Sequence, residues 1–178
     1  MKEIDISSGL FGSHYSLTDL YPQSEAKLRE ALASGEDFDT DWVGCKKEIR
    51  YARYIREGDS ITVQVSAQMD DLWESDDLVY DALWEACQTE EELPDDFIDS
   101  IRSGAAGDID DCSEISVVLP ATATYEEIMA ATEKAEEMAE QRNSEMFKRL
   151  CEYVKTYWTQ QNEGKQSESQ SPELGGLA

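Results

Sequence analysis

Between Asp70 and Glu114 the chain carries seventeen acidic residues against a single base, Arg102. Neighbouring carboxylates about 5.5 Å apart repel by roughly 0.7 kcal/mol even at water's dielectric constant, so a fold must keep them on solvated faces and tolerate their repulsion until salt screens it. That requirement favours amphipathic elements whose wet side is anionic. If residues 70–87 form one helix, Asp70, Glu74, Asp77, Asp81 and Glu85 fall within a sector of about 80°, with Val79, Tyr80, Leu83, Ala86 and Cys87 opposite. An N-cap at Ser75 or Asp76 would instead leave Asp70 and Glu74 in the preceding loop and shorten the stripe.

The 178 residues are 40% hydrophobic and include four Trp and eight Tyr, enough for one domain with a real core. A net charge of −25 argues against direct nucleic-acid binding, which draws its affinity from Lys and Arg, and makes anionic membranes poor partners. Met1–Ser8 shows no charged region leading into an apolar one, and no run approaches eighteen apolar residues, so a cytosolic chain is expected. Cys45, Cys87, Cys112 and Cys151 are far apart, form no CxxC pair and have only His14 as an imidazole companion. Reduced, mostly buried thiols fit that pattern better than a zinc site.

Along the chain, Glu3–Ser7 alternates as a short strand with Ile4 and Ile6 inward, broken by Gly9–Gly12. Ser24 is placed to cap a helix running to about Ala33, with Leu28 and Leu32 on one face and Gly35 as its stop. Lys47–Arg56 and Ser60–Ala67 read as a β-hairpin joined by Glu57, Gly58 and Asp59. Pro94, Asp95 and Asp96 open a short helix with Phe97, Ile98 and Ile101 inward and Gly104 as its end. Glu114–Leu119 is a strand stopped by Pro120. Thr124 and Glu127 form a capping box for a long helix to about Gln161, whose apolar positions Ile128, Thr132, Ala135, Ala139, Met146, Phe147, Leu150, Val154 and Trp158 recur at helical spacing. From Asn162 the composition reads as a disordered tail. The expectation is a single α+β domain over 1–161, a small mainly antiparallel sheet packed on one side by helices, with 162–178 disordered. Monomer and homodimer both remain open, since the long helix could lie on the sheet or pair with its own copy.

Asp37, Asp39, Asp41 and Glu48 copy part of a calcium-loop pattern, but Trp42 stands where the sharp turn needs Gly. Asp108, Asp110, Asp111 and Glu114 form an acidic loop rather than a recognisable cation site. No metal or other cofactor is implied, and no phosphate cradle, nucleophile elbow or Cys–His pair marks a catalytic centre. Lys46, Lys47, Arg50, Arg53 and Arg56 lie together on the hairpin beside Tyr51 and Tyr54. In so acidic a chain they are expected to pair with its own acids or to meet an acidic part of the partner, not to hold nucleic acid.

Surface helices ordinarily mix charge signs and gain a few tenths of a kcal/mol per pair, which the acidic stripe forgoes. Its rows can imitate a nucleic-acid backbone, which presents one phosphate per 3.4 Å on each strand. Trp73 and Trp84 flank it as core residues or as anchors in a partner.

This combination of a small, strongly acidic α+β chain without an active-site motif resembles the DNA-mimic inhibitors of phages and mobile elements, the anti-CRISPR and anti-restriction proteins. The similarity covers composition and the Asp70–Glu114 segment. It implies an inhibitor, not an enzyme, that enters the basic cleft of a DNA- or RNA-binding protein in the bacterial cytoplasm, with Cas9 and its guide RNA or a restriction enzyme as candidate partners. The contact residues would be Asp70, Asp71, Glu74, Asp77, Asp81 and Glu85, then Asp95, Asp96 and Asp99. The alternatives are an immunity protein against a basic nuclease toxin and a metal-dependent enzyme with an acidic site.

Overall fold

The computed structural model describes residues 1–6, 16–45, 50–69, 76–105 and 112–169. The fold is α+β. Among the described residues four helices accompany a six-stranded, mostly antiparallel sheet: β1 (Lys2–Glu3), α1 (Pro22–Ser34), β2 (Phe38–Asp39), β3 (Val43–Cys45), β4 (Arg50–Glu57), β5 (Ser60–Gln68), α2 (Asp77–Cys87), α3 (Asp95–Ala105), β6 (Cys112–Pro120) and α4 (Tyr125–Ser169). The chain divides into two compact units. The first comprises Met1–Met69 and Asp111–Ser144, the second Asp70–Asp110 and Glu145–Ala178, so α4 supplies residues to both.

The first unit holds the sheet, in the order β1-β2-β4-β5-β6 with β3 also on β4. Only the β1–β2 pairing is parallel among these. The expected hairpin is present: Glu57 pairs with Ser60 across Gly58 and Asp59, and Gly58 takes a left-handed φ of 57° that suits a residue without Cβ. Its N–H donates to Asp37 Oδ1 at 3.0 Å. Residues 47–49, read as the start of that strand, lie outside the described residues, as do Gly9–Gly12.

Alternation decides which face is covered. Ala52, Tyr54, Ile61, Val63, Val65, Ala67 and Ile115 are buried on one side with Leu28 and Ala31 of α1 and Ile128, Ala131, Ala135 and Ala139 of α4. At the centre the fully buried Tyr54 hydroxyl meets Thr132 Oγ1 at 3.0 Å, and Thr132 Oγ1 in turn donates to Ile128 O at 2.8 Å. Burial pushes the Tyr54 phenol well above its ordinary pKa.

Several local expectations change. Ser24 does not cap α1: Pro22 opens the helix, where a missing N–H costs nothing, and Ser24 Oγ donates to Ile6 O at 2.8 Å from a buried position. Gly35 does end it, at φ 72°. The first strand spans only Lys2–Glu3, yet Ile6 is fully buried.

The capping box stands as read, Thr124 N–H donating to Glu127 Oε2 at 2.8 Å and Glu127 N–H to Thr124 Oγ1 at 3.2 Å. The helix it starts continues to Ser169, so residues 162–169, expected to be disordered, are helical. Gln, Glu and Lys are good helix formers and outweigh the single Gly164 there; 170–178 lie outside the described residues.

Replacing Tyr54 by Phe is expected to cost about 1 kcal/mol, because Thr132 keeps its bond to Ile128 O, whereas Ala should cost about 3–5 kcal/mol through the cavity. Urea unfolding of the two variants checks both figures.

Candidate partner-binding face

The second unit carries the acids singled out by the sequence. Helix α2 begins at Asp77, one of the two starts the sequence allowed; Asp70, Asp71, Trp73 and Glu74 lie outside the described residues. Asp76 occupies the N-cap position without a side-chain cap bond. Its Oδ1 instead accepts from Arg102 Nη2 at 2.7 Å. The helix closes at Gln88, whose φ of 53° is left-handed and whose N–H and Nε2 both donate to Trp84 O.

Period 3.6 sorts α2 into two sides. Leu78, Val79, Ala82 and Leu83 are buried, while Asp77, Asp81 and Glu85, spaced by about 6 Å of rise, are exposed. Trp84, whose commoner fate would be the core, is 48% exposed beside them. It lines an open cleft of about 290 Å³ with Tyr80, Asp81, Thr89 and Glu90.

Helix α3 follows the expected start. Pro94 O accepts from the N–H groups of Phe97 (2.9 Å) and Ile98 (3.2 Å), Asp95 and Asp96 sit in the first turn, and Phe97, Ile98 and Ile101 are buried. Asp95, Asp96 and Asp99 are exposed. Phe97 meets Tyr157 and Trp158 of α4 edge-on, at centroid distances of 6.2 and 6.5 Å. Gly104 does not stop α3; it lies inside the helix, where a Cβ would come within 3.1 Å of the Tyr157 hydroxyl. The two helices are joined by the Leu93 N–H to Tyr80 Oη bond (3.1 Å) and by Arg102.

Arg102 is the single base between residues 76 and 105. Its guanidinium pairs with Asp76 at 2.7 Å and lies 4.0 Å from Asp99. Among the described residues no salt bridge involves Asp81, Glu85, Asp95 or Asp96. Six of the nine predicted contact residues are thus exposed on two helices of one unit. Glu90, Glu91 and Glu92, which are not among the nine predicted contact residues, are exposed in the α2–α3 connection. Three consecutive acids just before a helix-opening Pro were the available signal.

The basic hairpin is largely engaged inside the first unit. Arg50 Nη1 bonds Glu136 Oε1 at 2.5 Å and also Glu140, with only 16% of the Arg50 side chain exposed. Arg53 makes a two-point contact with Asp39, and Arg56 Nη1 reaches Leu32 O at 3.5 Å. Burial raises the Glu136 carboxyl above its usual range although Arg50 opposes it, whereas the Arg53 hydrogen bonds, opposed by partial burial, hold Asp39 below it. Lys46 and Lys47 lie outside the described residues.

The partial calcium pattern has another role. Asp39 Oδ1 accepts from Asp41 N–H at 2.9 Å, Asp41 Oδ1 from Trp42 N–H at 2.8 Å, and Asp37 serves Gly58, so these carboxylates fix turns. Among the described residues no group of His, Cys, Asp or Glu is arranged to hold a metal ion; Glu48, His14, Asp108, Asp110 and Asp111 lie outside them. Burial raises the Cys87 and Cys151 thiols, which disfavours the thiolate. No described helix is long and apolar enough to cross a membrane. No protein-family model matches the chain, and no curated protein is significantly similar to it.

Asp39 contributes stability above the ordinary Asp pKa of about 3.9, lost as pH falls through its lowered folded value. Asp39→Asn should therefore be less stable than the parent at pH 7, with the gap shrinking at pH below about 4. Urea midpoints at several pH values measure this, and a gap independent of pH would show that the carboxylate charge is immaterial.

Proposed function

We propose that the exposed acids of α2 and α3 act as a surrogate for a polynucleotide backbone, entering the Lys- and Arg-lined cleft of a nucleic-acid-binding protein and blocking it by occupancy. What carries this reading is the segregation of charge. Residues 76–105 hold ten acids and one base, that base faces Asp76, and a buried apolar side holds Asp77, Asp81 and Glu85 in register. Each i,i+4 pair of like charges costs a few tenths of a kcal/mol in the free protein. A cationic partner turns that cost into attraction and speeds encounter by steering.

Trp84 gives the face an aromatic group beside its carboxylates, the residue type that most often anchors interfaces and accepts a guanidinium over its ring. The partner class follows from the resemblance to anti-CRISPR and anti-restriction inhibitors: a CRISPR nuclease such as Cas9, or a restriction enzyme, met in the bacterial cytoplasm. Inhibition of this kind is stoichiometric and needs no catalytic residue, metal or cofactor.

The test combines charge reversal with salt. Asp77→Lys, Asp81→Lys and Glu85→Lys together should abolish capture and inhibition of the partner with the far-ultraviolet circular dichroism unchanged. Binding by the parent should weaken at least about tenfold between roughly 50 and 200 mM salt, and duplex DNA should displace it. Retention insensitive to all three overturns the proposal, and substoichiometric action abolished by chelation would point to the metal-dependent enzyme instead.

A further inference from the structure

Among the described residues β6 ends the sheet on its side, being bonded to β5 alone. Two observations fix which backbone groups point outward. Ala121 N–H donates to Asp59 O at 2.9 Å, which continues the β5–β6 register and makes the odd-numbered residues of β6 the hydrogen-bonded partners of β5. Independently, Arg142 Nη1 donates to Glu114 O at 3.2 Å, so this carbonyl points away from β5. The N–H and C=O groups of Glu114, Ser116 and Val118 therefore face outward. Those of Ser116 and Val118 meet no described residue.

Natural edge strands are usually short, bulged, or armed with Lys, Pro or inward charges. This one runs nine residues with a Pro only at its last position, Pro120, has Glu114 as its single charge and exposes Val118 at 66%.

We infer that β6 is a self-pairing edge, and that two copies of this chain join antiparallel about a two-fold axis through Ser116, extending one sheet into the other. Cys112–Pro120 is centred on Ser116, so the outward groups are self-complementary. Ser116 exchanges two hydrogen bonds with its counterpart, and each Glu114 exchanges two with the opposite Val118, giving six in all. The second lone pair of Glu114 O leaves room for Arg142. This register sets the Val118 methyls against the methylenes of Glu114 from the other copy. It also places the two Glu114 carboxylates about 14 Å apart along the strands, beyond the Debye length of about 8 Å at physiological salt.

A second copy, not a foreign strand, is favoured by this reciprocity. The contact itself brings in only the two well-separated Glu114 carboxylates, yet each copy carries a net charge of −25, so association must work against long-range repulsion. The salt response is consequently opposite in sign to that of binding a basic partner, and it does not depend on the proposed inhibitory role.

Sedimentation of the full chain should show a dimer whose dissociation constant tightens at least about tenfold between roughly 20 and 500 mM NaCl, as screening removes the repulsion. Ser116→Pro removes an outward donor without touching the β5 ladder and should weaken the dimer at least about thirtyfold, while Ser116→Ala stays within about threefold. Val118→Glu sets like charges opposite Glu114 and should dissociate the dimer, whereas Val118→Lys should hold or tighten it. Circular dichroism confirms that each variant is folded. A parent that stays monomeric at high salt, a dimer indifferent to Ser116→Pro, or equal weakening by Glu and Lys at position 118 overturns the inference, the first pointing to a foreign strand at this edge and the second to α4 or another surface.

Discussion

Self-repulsion at a net charge of −25 is the constraint to which the rest of the molecule answers. Apolar burial is short-ranged and indifferent to sign, so it can exceed that repulsion only where acids are kept off the buried faces or paired with a base there. The chain meets the requirement in two different ways. In the first unit Arg50 and Arg53 stand against Glu136, Glu140 and Asp39, so part of the charge is neutralised next to the core. In the second, Leu78, Val79, Ala82 and Leu83, and Phe97, Ile98 and Ile101, are buried, and Arg102 stands against Asp76 and Asp99. Neutralisation in one unit and exposure in the other give the molecule its uneven charge.

Features written in contiguous residues were legible in the sequence. Gly58 between two alternating runs, Gly35 after Ser34, and Thr124 with Glu127 each encode a local conformation whose partners lie within a few residues, and each appears in the structure. Ser24 and Gly104 have valid local meanings as well, a cap and a stop. They were misread because distant groups decide their roles: Ile6 O takes the Ser24 hydroxyl, and Tyr157 crowds the space where a side chain at Gly104 would go.

The candidate face was legible in composition and only partly in geometry. Exposure of Asp77, Asp81, Glu85, Asp95, Asp96 and Asp99 follows from helical periodicity, which the sequence carries. The length of the stripe depended on where α2 begins, and Asp76 offered its carboxylate to Arg102, 26 residues away, in place of capping the helix itself. No local pattern encodes that competition between a cap bond and a tertiary ion pair. Trp84 illustrates the same limit, because an aromatic at the border between the buried and wet sides of a helix is sent either way by what packs against its neighbours.

An edge with a single charge, such as β6, would ordinarily invite aggregation, and its persistence here has an electrostatic reason. Lys, Pro and bulges protect an edge locally, whereas a high net charge protects it from a distance by raising the energy of every approach by a like molecule. The protection is not selective between orderly and disorderly pairing, so geometry must limit growth. The opposite end of the sheet, β1, is two residues long and pairs parallel to β2, too short a template for a further chain. Among the described residues β6 is the one long edge, so an isologous contact through it sets each copy's edge against its counterpart and closes at two. Such a dimer would carry the proposed acidic faces in duplicate, and a partner with two basic grooves within reach would gain avidity without any new contact.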